Sequence, residues 1–382
     1  MRLSRSSRYE LGLCAALALL AGCASVSPEP QAPRQAFAIT GSIPEWKATR
    51  AARAACPVRP GEATCLALLL DARRRPNAPG LTPTDFQARY RLPSKSKGAG
   101  EIVAIVDAYD NPNVASDLAK YRKTFGLGSA PFAKYNQNGE RKNFPDRNAN
   151  WGVEEDLDVE MVAAACPKCT IDLIEAKYPY GGALSVAEDQ AVKLGARIVS
   201  NSWICYGSIS CVNAASFSKP GVLYLGASGD EGFDHPGAPM AFASVAAIGG
   251  TVLSKSGSHY SEAGWSGTGG GCVFDIRKPN WQHDKFCWGR MTNDASAVAW
   301  NVSEYDSYGY DGWFTIGGTS VSTPLVAGIF ALAGNAAKQD GGRAFWQDAK
   351  ETSLNNLCKS VCLFDQYSFG IGWGSPHGLG AL

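Results

Sequence analysis

Near its C-terminal end the chain reads Ile316-Gly317-Gly318-Thr319-Ser320-Val321-Ser322-Thr323-Pro324 and continues as Leu325-Val326-Ala327-Gly328-Ile329-Phe330-Ala331-Leu332. The second part would be apolar on nearly every side of a helix, which predicts a buried helix. Gly317 and Gly318 let the backbone approach another group closely, and Ser320 falls where the helix begins. Pro324 is expected in or near the first turn, where its missing N–H costs least. Ser320 is therefore either a helix N-cap or a hydroxyl placed for chemistry at the positive end of the helix dipole.

The chain is long, and its net charge is close to zero. It has 382 residues, 45% of them hydrophobic, and a formal net charge of +1. A chain of this length buries a core that suits one large α/β domain. Because no basic block stands out, the sequence gives no support for a nucleic-acid partner.

The N-terminus is expected to direct export. Three arginines precede an apolar run over residues 11–20, which is too short to span a membrane as a stable helix. The run ends in Leu20-Ala21-Gly22-Cys23, which resembles a bacterial lipobox. The resemblance implies a lipoprotein signal peptide over 1–22 and a lipid on the sulfur of Cys23, with an ordinary signal peptide as the alternative. Ala24 implies sorting to the outer membrane, facing the periplasm or the cell surface.

The rest of the chain divides into three segments. Residues 23–55 are rich in proline, alanine and serine, which predicts a tether from the membrane. Residues 56–79 form a short cysteine-clipped segment, and residues 80–382 form the globular domain. That domain is expected to open on a helix with Thr82 as its N-cap and Pro83 in its first position.

The globular domain alternates apolar strands with helices. Helices are predicted over 114–125, 154–165 and 185–194, and strands over 102–106, 170–174, 197–200, 221–225 and 244–248. Continuous apolar runs of this length are typical of buried parallel strands. The alternation predicts an α/β fold, a doubly wound and mostly parallel sheet with helices on both faces. Residues 264–312 are predicted to be rich in loops.

Ten cysteines remain beyond Cys14 and Cys23 of the export segment, and an even set in an exported chain predicts disulfides. Because short loops close easily, neighbours along the sequence are expected to pair: Cys56–Cys65, Cys166–Cys169, Cys205–Cys211, Cys272–Cys287 and Cys358–Cys362. The Cys166-Pro-Lys-Cys169 couple also fits a redox or zinc half-site. No second Cys-x-x-Cys couple or histidine cluster accompanies it, which favours a structural bridge.

A serine nucleophile needs a neighbouring base and donors for the developing oxyanion. The four histidines fall in predicted loops, and none lies in a His-Gly-Thr-His context. Asp107 ends the first strand and is interpreted mainly as a structural residue. On the predicted helix over 154–165, Glu154 and Asp158 are four residues apart and share one face. The alternative interpretation is an acidic helix face exposed to solvent.

A third candidate element is the turn Gly226-Ala227-Ser228-Gly229-Asp230-Glu231-Gly232, which directly follows an apolar strand. A glycine-rich turn at the carboxyl end of a strand is where a doubly wound sheet builds its site. Asp230 is therefore a candidate site residue. The alternative is a side chain that only makes a hydrogen bond within the turn.

Taken together, three motifs resemble those of the sedolisins, the serine-carboxyl peptidases with a subtilisin-like fold. They are Glu154-x-x-Leu157-Asp158, Ser228-Gly229-Asp230 and Gly317-Gly318-Thr319-Ser320-x-Ser322-Thr323-Pro324. The similarity runs from about Gly80 to the C-terminus and includes Ser200-Asn201-Ser202-Trp203.

The resemblance implies a role for each of four residues. Ser320 is the nucleophile, Glu154 the general base and acid, and Asp158 the residue that orients Glu154. Asp230 completes the oxyanion hole with the N–H of Ser320. The nearest rivals for the base, Glu155 and Asp156, rank below Glu154 because they lie on other helix faces than Asp158.

The resemblance also implies an activity. The chain is expected to be a monomeric endopeptidase that hydrolyses peptides or proteins at acidic pH through an acyl-enzyme on Ser320. Because carboxylates replace histidine, we expect a bell-shaped profile with a maximum at about pH 3 to 5. Substrate is expected to meet Ser202, Trp203 and Gly229, within the loops 202–208 and 227–233.

Two departures from the family pattern stand out. Sedolisins usually carry a large folded pro-domain, for which this chain has little room. Two alternatives follow: the chain needs no propeptide removal, or it uses the clipped segment as a small inhibitor or brace. The family also binds calcium near its C-terminus, but the corresponding positions hold Lys350-Glu351 and Ser368, with Asp365 nearby. A hard cation needs several oxygen ligands. We therefore expect no metal or other cofactor, with one calcium ion left open.

Two alternatives to the sedolisin interpretation remain. One is a catalytically silent binding scaffold of the same fold at the cell envelope. The other is a subtilisin-like peptidase built on Asp107, or an esterase using the same serine. The Gly-x-Ser-x-Gly elbow typical of such esterases is missing around Ser320.

Overall fold

The computed structural model describes residues 52–180, 182–347, 354–358, 362–363 and 367–380. The predicted signal peptide, Cys23 and all but the last few residues of the predicted tether lie outside these ranges. Within them, no helix is both long enough and apolar enough to cross a membrane.

The helices and strands of the described residues follow the predicted alternation. The α-helices are α1 (Pro83–Arg89), α2 (Val114–Phe125), α3 (Ala149–Ala165), α4 (Ala183–Lys193), α5 (Thr319–Ala333) and α6 (Arg343–Gln347). The strands are β1 (Arg53–Ala54), β2 (Thr64–Cys65), β3 (Leu68–Arg75), β4 (Ile102–Ala108), β5 (Phe132–Asn136), β6 (Thr170–Ala176), β7 (Ile198–Asn201), β8 (Trp203–Tyr206), β9 (Leu223–Ala227), β10 (Gly237–Ala238), β11 (Val245–Ser256), β12 (His259–Gly264), β13 (Cys272–Arg277), β14 (Gly289–Met291), β15 (Ala295–Val298), β16 (Val302–Asp306), β17 (Gly312–Gly317), β18 (Leu354–Asn355) and β19 (Ser375–Pro376).

The core of the fold is an eight-stranded, mostly parallel sheet. Its strand order is β12-β11-β9-β7-β4-β6-β5, with β15 also paired to β11. Only the β11–β12 pair is antiparallel within this sheet. The apolar strands β7 and β9 are buried along their whole length, as expected of strands covered on both faces. The predicted α/β class is confirmed.

Helices α3 and α5 pack against each other and are buried on all sides. The structure starts α3 at Ala149, earlier than predicted, because the side chain of Asn148 accepts hydrogen bonds from the N–H groups of Asn150 and Trp151. The interpretation of this helix as an acidic face exposed to solvent is wrong, since every residue from Trp151 onwards is buried.

The start of α5 also corrects a prediction. Gly318 is the N-cap and Thr319 the first residue, so Pro324 lies in the second turn rather than in or near the first. The ring removes the N–H that would bond the carbonyl of Ser320 four residues earlier. The hydroxyls of Ser322 and Thr323 both donate to the carbonyl oxygen of Thr319, at 2.9 Å each, and stabilise this first turn.

The region over 264–312 contains the short strands β13 to β16, but most of its residues lie in loops and turns, as the sequence predicts. These strands are short, and their stability comes from tertiary contacts rather than from a long apolar run. Arg290 and Asp294 form a fully buried ion pair there, and Asp294 also accepts hydrogen bonds from Ala247 and Trp346. The predicted helix start at Thr82 and Pro83 is confirmed, and Asp85 accepts the Thr82 N–H at 2.9 Å.

The cysteine-clipped segment adds strands to the sheets of the globular domain. Its last strand, β3, lies between β1 and β17, and β2 pairs with β8. The described residues form five sulfur–sulfur bonds: Cys56–Cys65, Cys166–Cys169, Cys205–Cys211, Cys272–Cys287 and Cys358–Cys362. They are the pairs that proximity along the sequence predicts.

Candidate active site

Ser320 is the second residue of α5, directly after the loop that follows β17. Because Gly318 occupies the N-cap position, the interpretation of Ser320 as a capping residue is excluded. Its N–H lies in the first turn, where a helix has no internal acceptor to offer. Its side chain is fully buried, and Oγ donates a hydrogen bond of 3.3 Å to the carbonyl oxygen of Ser202. The start of α5 thus holds Ser320 against Ser202, the residue that precedes β8.

The conformation of Gly318 explains the glycine before this helix. Its φ of 108° lies in a region that side chains rarely adopt. A Cβ atom there would clash with the carbonyl oxygen of Leu66 and lie 2.8 Å from Oδ2 of Asp230. The absence of a side chain therefore brings a backbone carbonyl, the Asp230 carboxyl and the start of α5 together.

Glu154 and Asp158 lie on one face of α3, as their spacing predicts. Oε2 of Glu154 accepts the N–H of Ala67 at 2.7 Å, and Oδ1 of Asp158 accepts the hydroxyl of Ser202 at 2.7 Å. Ser202 therefore contacts both sides of the site, because its carbonyl oxygen accepts the hydroxyl of Ser320.

Burial raises the pKa of Glu154 well above its ordinary value, and the charge of Asp107 raises it further. The hydroxyl of Ser320 and the N–H of Ala67 act in the opposite direction by hydrogen bonding to the carboxylate. Burial likewise raises the pKa of Asp158, with Asp107 and Glu154 adding to the effect and Ser202 opposing it. Because a hydroxyl proton rotates freely, Ser320 is able to bond either Ser202 or Glu154.

Asp107 is a third carboxyl in this cluster, and the sequence interpretation of it as a mainly structural residue missed this. It is fully buried, and within the described part of the chain neither of its oxygens has a hydrogen-bond partner. Burial raises its pKa to about 8. The sequence feature that could have indicated a site role for Asp107 is its position at the carboxyl end of β4, because ligands bind at that edge of a parallel sheet.

Asp230 follows β9 and faces the start of α5. Its Oδ1 accepts hydrogen bonds from both the N–H and the hydroxyl of Thr319, and its own N–H donates to Tyr206 at 3.0 Å. Oδ2 is buried and has no hydrogen-bond partner among the described residues. Burial raises the pKa of Asp230 to about 7, against the hydrogen bonds from Thr319. In acid the side chain is therefore a neutral donor.

The rival carboxyls on α3 turn away from Ser320. Glu155 accepts the N–H of Asn111 at 3.2 Å, and Asp156 accepts the side-chain amide of the same residue at 2.7 Å. Asp156 also lies near Asp117 and Asp306, with one carboxylate oxygen of each within 4.8 Å of the others. Hydrogen bonds from Ser307, Gly309 and Tyr310 satisfy the last two carboxyls in part, and we assign no metal to this group.

The C-terminal positions that the family uses for calcium are only partly described. Lys350, Glu351 and Asp365 lie outside the described residues. At Ser368 the backbone N–H and carbonyl already bond Gly372, at 3.0 and 2.8 Å. The side chain of Ser368 ends in a hydroxyl, so it does not supply the carboxylate that the pattern requires.

The three residues predicted to meet substrate are placed differently from one another. Ser202 lies between Ser320 and Asp158, and the N–H of Gly229 donates to the hydroxyl of Thr319 at 3.2 Å. The side chain of Trp203 does not line the site, because it is fully buried and its indole N–H donates to Val106 in β4. Only the backbone of Trp203 faces the site, where it pairs with Cys65 of β2.

The four histidines have other surroundings. His235 borders an open cleft of about 890 Å³ beside Tyr206, and His259 is exposed on β12. His283 packs against Trp346, and His377 follows β19. No hydrogen bond described for Ser320, Glu154, Asp158 or Asp230 involves a histidine.

Comparison with known proteins places the chain in a family. Residues 180–374 match the model of the subtilase family of peptidases. The chain is also similar to sedolisin of Pseudomonas sp. (strain 101), with 24% identity over 352 residues that cover 80% of this chain and 60% of that protein. The chain therefore spans about 60% of the length of this curated relative.

Solved structures share the fold. Pseudomonas sedolisin, a serine-carboxyl proteinase solved with two molecules of pseudo-iodotyrostatin, aligns with a TM-score of 0.62 at 20% identity, over 78% of this chain and 96% of that one. The S41 psychrophilic protease aligns with a TM-score of 0.54 at 18% identity, over 79% and 99% of the two chains. Likeness at these identities shows a subtilisin-like α/β fold.

Proposed function

Because the chain belongs to the subtilase family of peptidases, we propose that it is a serine endopeptidase of the sedolisin type. It hydrolyses peptide bonds at acidic pH through an acyl-enzyme on Ser320. Glu154 and Asp230 act directly on the reacting atoms, and Asp158 positions Glu154. The observation that carries the proposal is the cluster of buried carboxyls around Ser320, in which Glu154 is close enough to accept a hydrogen bond from the serine hydroxyl.

The first chemical step is attack by Ser320 on the carbonyl carbon of the substrate. Its proton moves to the carboxylate of Glu154, which is close enough to accept a hydrogen bond from the hydroxyl. Asp158 and Asp107 share the remaining negative charge and protons with Glu154, because close buried carboxyls resist ionising together. Glu154 then gives the proton to the leaving amine, as histidine does in the Ser-His-Asp triad.

The developing oxyanion needs donors on the side of the carbonyl oxygen. The N–H of Ser320 supplies one, and protonated Asp230 supplies the other through Oδ2. An ionised Asp230 would repel the oxyanion instead. The proposed enzyme is therefore active only while Asp230 keeps its proton and the Glu154 cluster has lost at least one.

The decisive experiment compares two serine variants of α5. Ser320→Ala should abolish peptide hydrolysis at pH 4 to 6, whereas Ser322→Ala should retain it. Ser322 is a matched control because it is equally buried in the same helix, and its hydroxyl only bonds Thr319 within the first turn. Full activity in Ser320→Ala would refute the assignment. A parent protein that hydrolyses only esters, or nothing, would favour the esterase or the silent scaffold.

We extend the proposal to localisation and partners. The protein is exported, anchored to the outer membrane by lipid on Cys23, and acts as a monomer without a cofactor on peptides or proteins. Residues 1–22 are the signal peptide and 23–55 the tether. Metabolic labelling with a radioactive fatty acid tests the anchor, because Cys23→Ser should lose the label that Cys14→Ser keeps.

A further inference from the structure

The chain's own N-terminal segment lies in the cleft of the site. Strand β2 pairs antiparallel with β8, with Thr64 opposite Ile204 and Cys65 opposite Trp203. The pairing continues to Leu66, whose N–H donates to the carbonyl oxygen of Ser202 at 3.2 Å. A peptide bound by strand addition makes the same backbone hydrogen bonds with an enzyme. Residues 64–66 therefore occupy the position of a substrate strand.

The side chain of Leu66 fills an apolar pocket next to Ser320. Its neighbours are Ile204 of β8, Ala227 at the end of β9, Met240 and Ala247, with the half-buried Tyr206 packed against the group. Leu66 is 3% exposed. Pockets of this kind fix the residue before the bond that a peptidase cleaves, because burial of its side chain aligns the neighbouring carbonyl.

The peptide bond between Leu66 and Ala67 lies close to the proposed oxyanion donor, base and nucleophile. On one side, the carbonyl oxygen of Leu66 lies against Gly318, next to Oδ2 of Asp230. On the other, the N–H of Ala67 donates to Oε2 of Glu154 at 2.7 Å. The hydroxyl of Ser320 bonds the same carbonyl oxygen of Ser202 that accepts the Leu66 N–H. The nucleophile, base and oxyanion donor thus surround one bond.

We infer that Leu66–Ala67 is the first bond this enzyme cleaves, within its own chain. The inference rests on the proposed function. The oxygen of Ser320 bonds the Leu66 carbonyl carbon, and its proton passes to Glu154. The bond from that carbon to the Ala67 nitrogen then breaks, and Glu154 protonates the leaving amine. Water next attacks the ester, giving one proton to Glu154, which restores Ser320 and leaves a carboxyl group on Leu66.

No disulfide among the described residues links the two products. Each of the five described disulfides lies wholly on one side of the bond, Cys56–Cys65 upstream and the others downstream. The downstream product keeps β3 paired with β17, while the upstream product stays bound through noncovalent contacts that include the pairings of β1 and β2 and the buried side chain of Leu66. Its dissociation opens the cleft and separates the peptidase domain from Cys23.

The experiment follows the purified full chain after a shift from pH 8 to pH 5, by intact mass and N-terminal sequencing. The parent should yield a new N-terminus at Ala67, also on a non-reducing denaturing gel. Its first-order rate constant should not change over a tenfold dilution, because the reaction is intramolecular. Ser320→Ala should stay intact. A new terminus elsewhere, or a rate that falls with dilution, would overturn the inference.

Two variants of the segment test the pocket. Leu66→Asp should slow self-cleavage about tenfold or more, since a carboxylate is costly in an apolar pocket. Val58→Asp is the matched control, because Val58 is 60% exposed and its change should leave the rate unaltered. Leu66→Met, which fits the same pocket, should still give the Ala67 terminus. Loss of cleavage in Leu66→Met with native circular dichroism would contradict the role of the pocket.

Hydrolysis of an added peptide distinguishes failure of this inference from failure of the proposed function. If the parent hydrolyses the added peptide while its own Leu66–Ala67 bond stays intact, self-cleavage is refuted and the peptidase assignment is kept. The same conclusion follows if the parent is inert but Leu66→Asp hydrolyses the peptide, because the segment would then be a fixed inhibitor. Absence of both reactions in the parent and in Leu66→Asp would overturn both proposals.

Discussion

Thr319 donates two hydrogen bonds to one oxygen of Asp230, from its backbone N–H and from its hydroxyl, each 2.9 Å long. Since both fall on Oδ1, the other oxygen of the carboxyl is left facing Gly318, where the proposed oxyanion forms. The same hydroxyl accepts the N–H of Gly229 at 3.2 Å, which fixes the direction of its own proton. Thr319 is therefore a positioning residue for Asp230.

Replacing Asp230 tests its proposed role as a proton donor to the oxyanion. Asp230→Asn keeps a neutral donor at every pH, so it should retain measurable kcat/KM and lose the decline near pH 7. Asp230→Ala removes the donor and should lower kcat about 10²- to 10³-fold. Profiles of kcat/KM from pH 3 to 8 measure both. An Asn variant with the parent's alkaline decline would contradict the assignment.

The parent enzyme should show a bell-shaped pH profile. Its alkaline limb should fall near pH 7, because burial raises the pKa of Asp230 to about 7 and activity needs its protonated form. Its acid limb should lie above the ordinary pKa of a glutamate, about 4.3, because burial and Asp107 raise the pKa of Glu154. The expected maximum therefore lies between about pH 4.5 and 7, higher than the carboxylate reference values alone suggested. An optimum at pH 8 would contradict the carboxylate mechanism.

Variants of two buried serines near β8 test whether the hydrogen bond from Ser202 to Asp158 sets the acid limb of the pH profile. The hydroxyl of Ser202 lowers the pKa of Asp158, so Ser202→Ala should raise that pKa and move the acid limb of kcat/KM to higher pH. Ser200→Ala removes a buried hydroxyl without a described partner, and it should leave the limb in place. If both variants moved the limb equally, the effect would come from packing rather than from the Ser202–Asp158 hydrogen bond.

Asp107 makes stability depend on pH. Burial raises its pKa to about 8 in the folded chain, whereas an unfolded aspartate titrates near about 3.9. The folded state is therefore favoured while Asp107 is protonated, and stability is lost as pH rises from about 4 to about 8. Asn does not titrate, so the Tm of Asp107→Asn minus that of the parent should grow across this window. The Ser320→Ala background prevents self-digestion, and a difference independent of pH would refute the prediction.

The pocket of Leu66 predicts what the enzyme accepts before the cleaved bond. Peptides with leucine there should be cleaved about 10- to 200-fold more efficiently than peptides with alanine. The larger side chain buries more apolar surface in the pocket, which stabilises the bound transition state. Met240→Ala enlarges the pocket and should shift the preference towards phenylalanine. Competing peptides analysed by mass spectrometry give the ratio of kcat/KM values. Equal cleavage of all the peptides would show that this pocket does not set specificity.

The local sequence was enough to predict the elements that carry the candidate site. Ser320 begins a helix whose apolar residues recur without a polar face, and Glu154 and Asp158 are one helical turn apart, so short-range periodicity places them. The glycine-rich turn at Asp230 follows an apolar strand, and parallel strands carry their sites at that edge. The strand and helix alternation fixed the fold class for the same reason.

What only the tertiary structure decided depends on contacts between distant residues. The burial of α3, the joining of Asp107 to the carboxyl cluster and the strands over 264–312 leave no local pattern. Ala67 bonds Glu154 across 87 positions in the sequence. No periodicity predicts such a contact, because it forms only when β2 and β3 pair with β8 and β17 and bring the Leu66–Ala67 bond to Ser320. The cysteine-clipped segment over 56–79 therefore occupies the cleft in the folded chain.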